Sequence, residues 1–262
     1  MTALIDLDSL LYKAVYKIVT ISEMREALSK FGKEGARQWM MEEVYNEGIN
    51  RCENELLKTQ EYLQSIFFEE ITSFELFITT CTKSFRKSLR SDYKANRKRN
   101  DYVWMLRDHY MINGAHHSDT HEADDLIADR AKELGIYDCI IVSMDKDLKQ
   151  IGGYYWSYYK IRSKDMDGNY IENEYGNYET EYKQKDIEFI PKEKADKLFW
   201  KQVLTGDASD NVKGLWRVGE KTAEKILNDA SRPHIKVMRE YIGRNQKDDF
   251  YDTYKLLKLG TN

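Results

Sequence analysis

The stretch from Glu122 to Asp147 constrains the fold more than any other part of the chain. EADDLIA opens an apolar-periodic helix, IIV follows at strand length, and SMDKDLKQ comes directly after it. Helix, strand and loop in that order are part of a parallel α/β sheet, whose functional groups gather at the carboxyl ends of its strands. Glu122, Asp124 and Asp125 at the helix start should therefore converge with Asp145 and Asp147 on one edge. Carboxylates packed so closely raise one another's pKa unless cations neutralise them. An all-oxygen set without Cys or His selects Mg²⁺, Mn²⁺ or Ca²⁺ over zinc. The expectation is a divalent-metal site built for phosphate chemistry.

The rest of the chain can be arranged around that edge. TALIDL, residues 2–7, reads as a buried first strand delivering Asp6 at its carboxyl end. Asp8 either shares that face or caps the helix of LLYKAVYKIV. Residues 34–70, with apolar Ile49, Cys52, Leu56, Leu63 and Ile66, read as one or two long amphipathic helices that pack on the sheet rather than bind a partner. FELFIT, residues 74–79, is the second strand. Just beyond it, residues 83–99 hold eight Lys or Arg against the single Asp92, interleaved with Phe85 and Tyr93. That pattern favours phosphate contact over a merely solvated face. A helix follows from Tyr102 to Ile112, then Asp119 and Glu122 stand at capping-box spacing, which gives Glu122 an ordinary reading as a helix-start acid.

Beyond Asp147, the Tyr- and Gly-rich stretch from Gly152 to Tyr182 reads as a β-hairpin at the sheet edge, turning at DGN. An EF-hand is excluded there because Gly176 stands where its final Glu would be. The helix from Lys192 to Leu204 leads to Asp207 and Asp210, three apart and able to join the metal site. Gly214 to Gly219 then precede the helix GEKTAEKIL, whose free amino-end N–H groups, helped by Lys221 and Lys225, could hold a DNA phosphate. Residues 233–259 should supply further helices.

Composition narrows the setting. Net charge is −4, but setting aside the eight acids of the site leaves the remainder at +4, compatible with a polyanionic partner. No apolar run of membrane-spanning length and no basic-then-apolar leader is present, so a soluble, cytoplasmic protein is expected. Cys52, Cys81 and Cys139 lack CxxC spacing and read as core thiols. His109, His116, His117 and His121 lack the partners of a zinc site.

In order along residues 2 to 228, LIDLD, SFRKSLRSDYKANR, EADDLIA, SMDKDLKQ, TGDASDN and GEKTAEKIL resemble the structure-specific 5′ nucleases. That family takes in phage 5′→3′ exonucleases, flap endonucleases and the 5′ nuclease domain of DNA polymerase I; the likeness is strongest to the phage branch. The resemblance implies a doubly wound, mainly parallel α/β core with a helical arch, residues 1–185, and a helical helix-three-turn-helix region, residues 186–262. It implies a 5′→3′ exonuclease or flap endonuclease acting in DNA replication at 5′ ends, nicks or flaps of duplex DNA, with RNA–DNA hybrids and replication proteins as further partners of a monomer. Asp6, Glu122, Asp124, Asp125, Asp145, Asp147, Asp207 and Asp210 would hold two Mg²⁺, replaceable by Mn²⁺. Lys94 and Arg97 would polarise the scissile phosphate; Arg86, Tyr93, Lys98, Gly214, Val218, Gly219, Lys221 and Thr222 would join them in contacting DNA.

Three positions depart from the pattern. Thr79 stands where an Asp ligand is usual. Lys213 and Arg217 replace Pro and Gly in the hairpin that often holds K⁺, which sets a bulky side chain at its turn and leaves K⁺ binding open. Two rivals remain: a haloacid-dehalogenase-type phosphatase, whose motifs Asp6-Leu-Asp8 and Gly206-Asp207 to Asp210 imitate, and a catalytically weak DNA-junction binder.

Overall fold

The computed structural model describes residues 1–68, 70–171, 180–228 and 230–261. Strand β1, Thr2–Asp6, lies between β2, Ser73–Phe77, and β3, Cys139–Val142, parallel to both. β4, Gly153–Trp156, continues the parallel sheet, and β7, Glu188–Ile190, closes its edge antiparallel. The order β2-β1-β3-β4-β7 is thus mainly parallel, as expected. Alternate residues serve opposite faces: Ala3, Ile5, Ile140, Val142 and Trp156 join one buried cluster, while Leu4, Cys139, Ile141 and Tyr155 join another. Both faces are covered, which is why these strands read as unbroken apolar runs.

The first face is covered by α1, Leu7–Ala14, α2, Ile21–Ile66, and α4, Asp101–Ile112. Helix α2 bends at Gly32, where φ is 67°, a conformation glycine adopts without a Cβ clash. Its Cys52 and Leu63 are buried, Ile49 and Leu56 pack on them, and Tyr62 stacks on Trp156 with ring centroids 5.0 Å apart. The expected packing role of this helix therefore holds. The opposite face carries α5, Ala123–Leu134, together with Leu148 and Ala195. Helix α6, Lys192–Thr205, α7, Glu220–Leu227, α8, Pro233–Gly243, and α9, Lys247–Leu257, gather around a third cluster, which also takes in Tyr93.

The basic segment and the Tyr-rich stretch complete the fold. The basic segment forms only one short helix, α3, Phe85–Leu89, and turns and coil follow to residue 100. Asp92 and Asn211 bind one another there and Lys94 takes φ 54°, conditions that favour a turn over helix. The Tyr-rich stretch does not make one edge hairpin: β4 joins the main sheet, while β5, Tyr158–Arg162, pairs with β6, Thr180–Gln184, in a separate ribbon. The DGN turn is present, with Asp165 accepting from the amides of Asp167 and Asn169, and residues 172–179 lie outside the described set. No described helix is long and apolar enough to cross a membrane.

Candidate active site

The carboxyl ends of β1 and β3 set the centre. Asp6 ends β1 and caps α1, and its Oδ2 accepts from the hydroxyls of Ser9 and Ser143, each at 2.5 Å. Burial, then the neighbouring Asp8 carboxylate, push Asp6 up to about 6 against the pull of those two serines. Asp124, in the first turn of α5, is held well above the usual carboxylate range by burial and by Asp6 and Asp145. The loop after β3 is fixed from beneath, since the Tyr155 hydroxyl donates to the carbonyls of Ser143 and Asp145 at 2.7 and 2.9 Å. Asp147 follows, raised to about 6 by burial and by Asp145. Three neighbouring carboxylates that resist ionisation make an edge short of positive charge.

Fixed cations meet only part of that deficit. Lys94 Nζ lies 2.5 Å from Glu122 Oε2 and 3.6 Å from Asp210 Oδ2. Burial would lower Lys94, yet Glu122, Asp210 and Asp124 keep its ammonium above the usual value; burial likewise opposes ionisation of Glu122, yet Lys94 and Arg86 hold it low. Arg97 pairs with Asp210, and Tyr93 donates to both Glu122 and Asp210. Gln202 donates to Asp147 at 2.7 Å and Asp207 at 3.5 Å, and Ser209 holds Asp207 through its amide and hydroxyl. Two adjoining hollows result, of about 640 and 450 Å³. Asp6, Asp124 and Glu122 line the first, Asp147 and Asp207 the second, and Asp145 and Arg97 line both.

Asp125 stands apart from this set. It is fully buried and faces Arg86, which grips both its oxygens at 2.6 Å. Its carboxylate also accepts from the amides of Glu122 and Gly260, while Arg86 donates to the carbonyls of Leu256 and Lys258. The capping interaction of α5 therefore runs from Asp125 back to Glu122, one turn later than the expected Asp119–Glu122 box. Thr79 completes the helix start, its hydroxyl accepting from the Ala123 amide at 3.0 Å. Asp8 neither caps α1 nor stands free: Arg107 Nε holds one oxygen at 2.8 Å and the Thr79 amide the other at 3.2 Å.

Comparison with known proteins places this arrangement. The chain is 31% identical over 156 residues to DNA polymerase I of Streptococcus pneumoniae, and 30% identical over 158 residues to that of Rhizobium leguminosarum. These matches take in 55% and 56% of this chain and only 16% and 14% of the polymerases. No protein-family profile matches the chain. Among solved structures, bacteriophage T5 5′-exonuclease with bound zinc superposes with a TM-score of 0.57 at 12% identity, covering 100% of this chain and 90% of that one. A bacteriophage T5 flap endonuclease, in a pseudo-enzyme–product complex with DNA and metal ions, gives 0.54 at 12%, covering 98% and 88%. The chain is thus similar in sequence to a part of DNA polymerase I and in fold to the T5 5′-exonuclease.

Within this fold, seven of the eight expected carboxylates line or adjoin the two hollows. Asp125 does not, because Arg86 already satisfies it. Among the described residues no three His, Cys, Asp or Glu side chains are gathered tightly enough to hold a metal as they stand. Several of the acids turn instead to protein donors, Glu122 to Lys94, Asp210 to Arg97, Asp8 to Arg107, Asp147 and Asp207 to Gln202, and Asp6 to Ser9 and Ser143. Of the expected DNA contacts, Lys94, Arg97 and Lys98 face the first hollow. Arg86 and Tyr93 are buried and tied to carboxylates, so neither presents itself to a strand. Val218 is buried in the third cluster, and Gly214 is a packing glycine, since a Cβ there would sit 2.3 Å from backbone atoms of Thr205 and Gly206. Gly219, Lys221 and Thr222 are exposed at the start of α7. Two of the histidines meet aromatic rings, His116 stacked on Phe77 and His121 tilted against Phe85. Sequence reasoning missed Ser9, Ser143, Gln202 and Arg107, whose spacing carries no pattern.

Proposed function

We propose that this chain is a 5′ nuclease, a divalent-metal-dependent 5′→3′ exonuclease and flap endonuclease hydrolysing phosphodiester bonds at 5′ ends, nicks or flaps of duplex DNA during replication. The observation that carries the reading is the charge-deficient edge of Asp6, Asp124, Asp145 and Asp147, faced by Lys94 and Arg97. An all-oxygen, mutually repelling donor set fits Mg²⁺ or Mn²⁺. Asp6, Glu122, Asp124 and Asp145 would hold one ion, and Asp145, Asp147, Asp207 and Asp210 a second. Such ions, when bound, supply a water of lowered pKa and stabilise the leaving oxygen. Asp125 is left out of both sets.

The side chains supply position and charge. Lys94 and Arg97, held ready on Glu122 and Asp210, would exchange those partners for the oxygens of an incoming phosphodiester. Ser9 and Ser143 fix the Asp6 carboxylate, Tyr155 fixes the loop bearing Asp145, and orientation of this kind contributes several kcal/mol to lowering a barrier. We assign the chemistry to residues 1–185 and the duplex grip to residues 186–262, in a phage or bacterial cytoplasm, with RNA–DNA hybrids as a further substrate and the monomer as the working unit. The phosphatase rival fails on structure, since FWKQVLT before Gly206-Asp207 lies in helix α6, where that layout needs a strand. The test is incubation of end-labelled nicked, gapped, flapped and RNA-primed duplexes with Mg²⁺. Short 5′ products from nicks and flaps are expected; intact strands would overturn the reading.

A further inference from the structure

The turn Leu215–Val218 is built unlike its surroundings. Its outer residues, Leu215 and Val218, are buried, and the Val218 amide closes the turn on the Leu215 carbonyl at 3.1 Å. Its inner residues face solvent, with Trp216 62% exposed. The backbone of Trp216 is clamped on both sides: its amide donates to Gln246 Oε1 and its carbonyl accepts from Arg244, each at 3.0 Å. Both clamps are anchored in turn, Gln246 to Asp249 and Arg244 to Glu240. Arg217 takes φ 59° at the third turn position, where glycine is the unstrained residue. Its guanidinium lies 4.0 Å from the centroid of the Trp216 ring. A strained arginine stacked on a rigidly mounted, outward tryptophan has no packing explanation.

We infer that Trp216 and Arg217 form a wedge that enters the minor groove of duplex DNA, the indole parting a base step while the guanidinium lies along the groove. Apolar wedges of this kind partly unstack and kink duplexes, and arginine is drawn to the negative potential of the groove. Charge complementarity points to this occupant, because Lys213, Lys221 and Lys225 are exposed on the elements flanking the turn. The clamped backbone leaves little main-chain freedom to be lost on binding. The inference rests on the proposed action on duplex DNA and adds a deforming contact to it.

The test uses the whole protein in Ca²⁺ with nicked duplexes carrying 2-aminopurine at successive positions. Wild type should bind and raise the fluorescence at one step. Trp216→Ala should bind about tenfold more weakly and lose the fluorescence rise, while Trp216→Phe should keep part of both. Arg217→Gly should also bind more weakly yet melt at the same or a higher temperature, opposite signs that a purely structural role does not give. Should wild type bind while Trp216→Ala matches it in affinity and fluorescence, the wedge is refuted and the proposed function stands. Should wild type not bind nicked duplex at all, both fall together.

Discussion

Two buried charge clusters flank the amino end of α5, and neighbouring residues divide between them. Asp125 meets a cation and two backbone donors at hydrogen-bond distance, and nothing in it is unmet. Asp124, one residue earlier, faces Asp6 and Asp145 and is held well above the usual carboxylate range by burial and by them. The first cluster has its counter-charge built into the chain; the second has only part of it and, on the proposed function, would gain by recruiting cations from solution. Identical side chains at adjacent positions thus sit in opposite electrostatic settings, one satisfied and one repelled, and the difference lies entirely in what the fold brings opposite them.

The comparison breaks most readily at the satisfied cluster. Arg86→Met leaves Asp125 buried and uncompensated, which should cost about 3–5 kcal/mol; chemical denaturation would show it, and an unchanged midpoint would deny the cluster its role in stability. At the deficient edge the sign should reverse. Asp145→Asn removes repulsion, so the metal-free protein should melt no lower than wild type, while Mg²⁺-dependent cleavage falls at least about a hundredfold, equivalent to ~2.7 kcal/mol of barrier. Duplex binding in Ca²⁺ should survive; retained cleavage would mean that Asp145 is dispensable.

Acidity sharpens the contrast further. Asp6 and Asp147 are raised to about 6 by burial and by neighbouring acids. A carboxylate raised in the folded state stabilises fully below its unfolded value of about 4 and loses that contribution as pH climbs through the folded value. Metal-free protein should therefore melt a few degrees higher near about pH 5 than near about pH 8, and Mg²⁺ should narrow or reverse the gap. A melting temperature that rises with pH in the absence of metal would contradict this. Smaller still is the loss expected from Lys94→Ala, about tenfold in single-turnover cleavage, or ~1.4 kcal/mol. An effect confined to the salt dependence of binding would reduce Lys94 to an electrostatic track.

The edge itself was legible from spacing, because acids at strand ends and at a helix start converge wherever strands run parallel. Asp6, Asp124 and Asp145 meet for that reason. The division between Asp124 and Asp125 was hidden, since Arg86 lies 39 residues from Asp125 and the carbonyls that orient it lie 170 and 172 residues beyond Arg86. The basic run looked uniform for the same reason. Its members part only in three dimensions, Arg86 into the interior, Lys94 and Arg97 onto the edge, and Arg99 outward over Trp104. Asp8 was open between two roles and takes a third, as partner of Arg107 and the Thr79 amide, because β1 ends at Asp6 and turns at once into helix.

The grip of Arg86 and Asp125 on residues 256–260 also orders events during synthesis. EADD and YKANR leave the ribosome long before the backbone that braces them, so a nascent chain carries these segments without their final buttress. Only when Gly260 emerges can its amide reach Asp125, with Arg86 closing on the carbonyls of Leu256 and Lys258. The bracing of the α5 amino end is thereby the work of residues far later in the chain than the acids it orders.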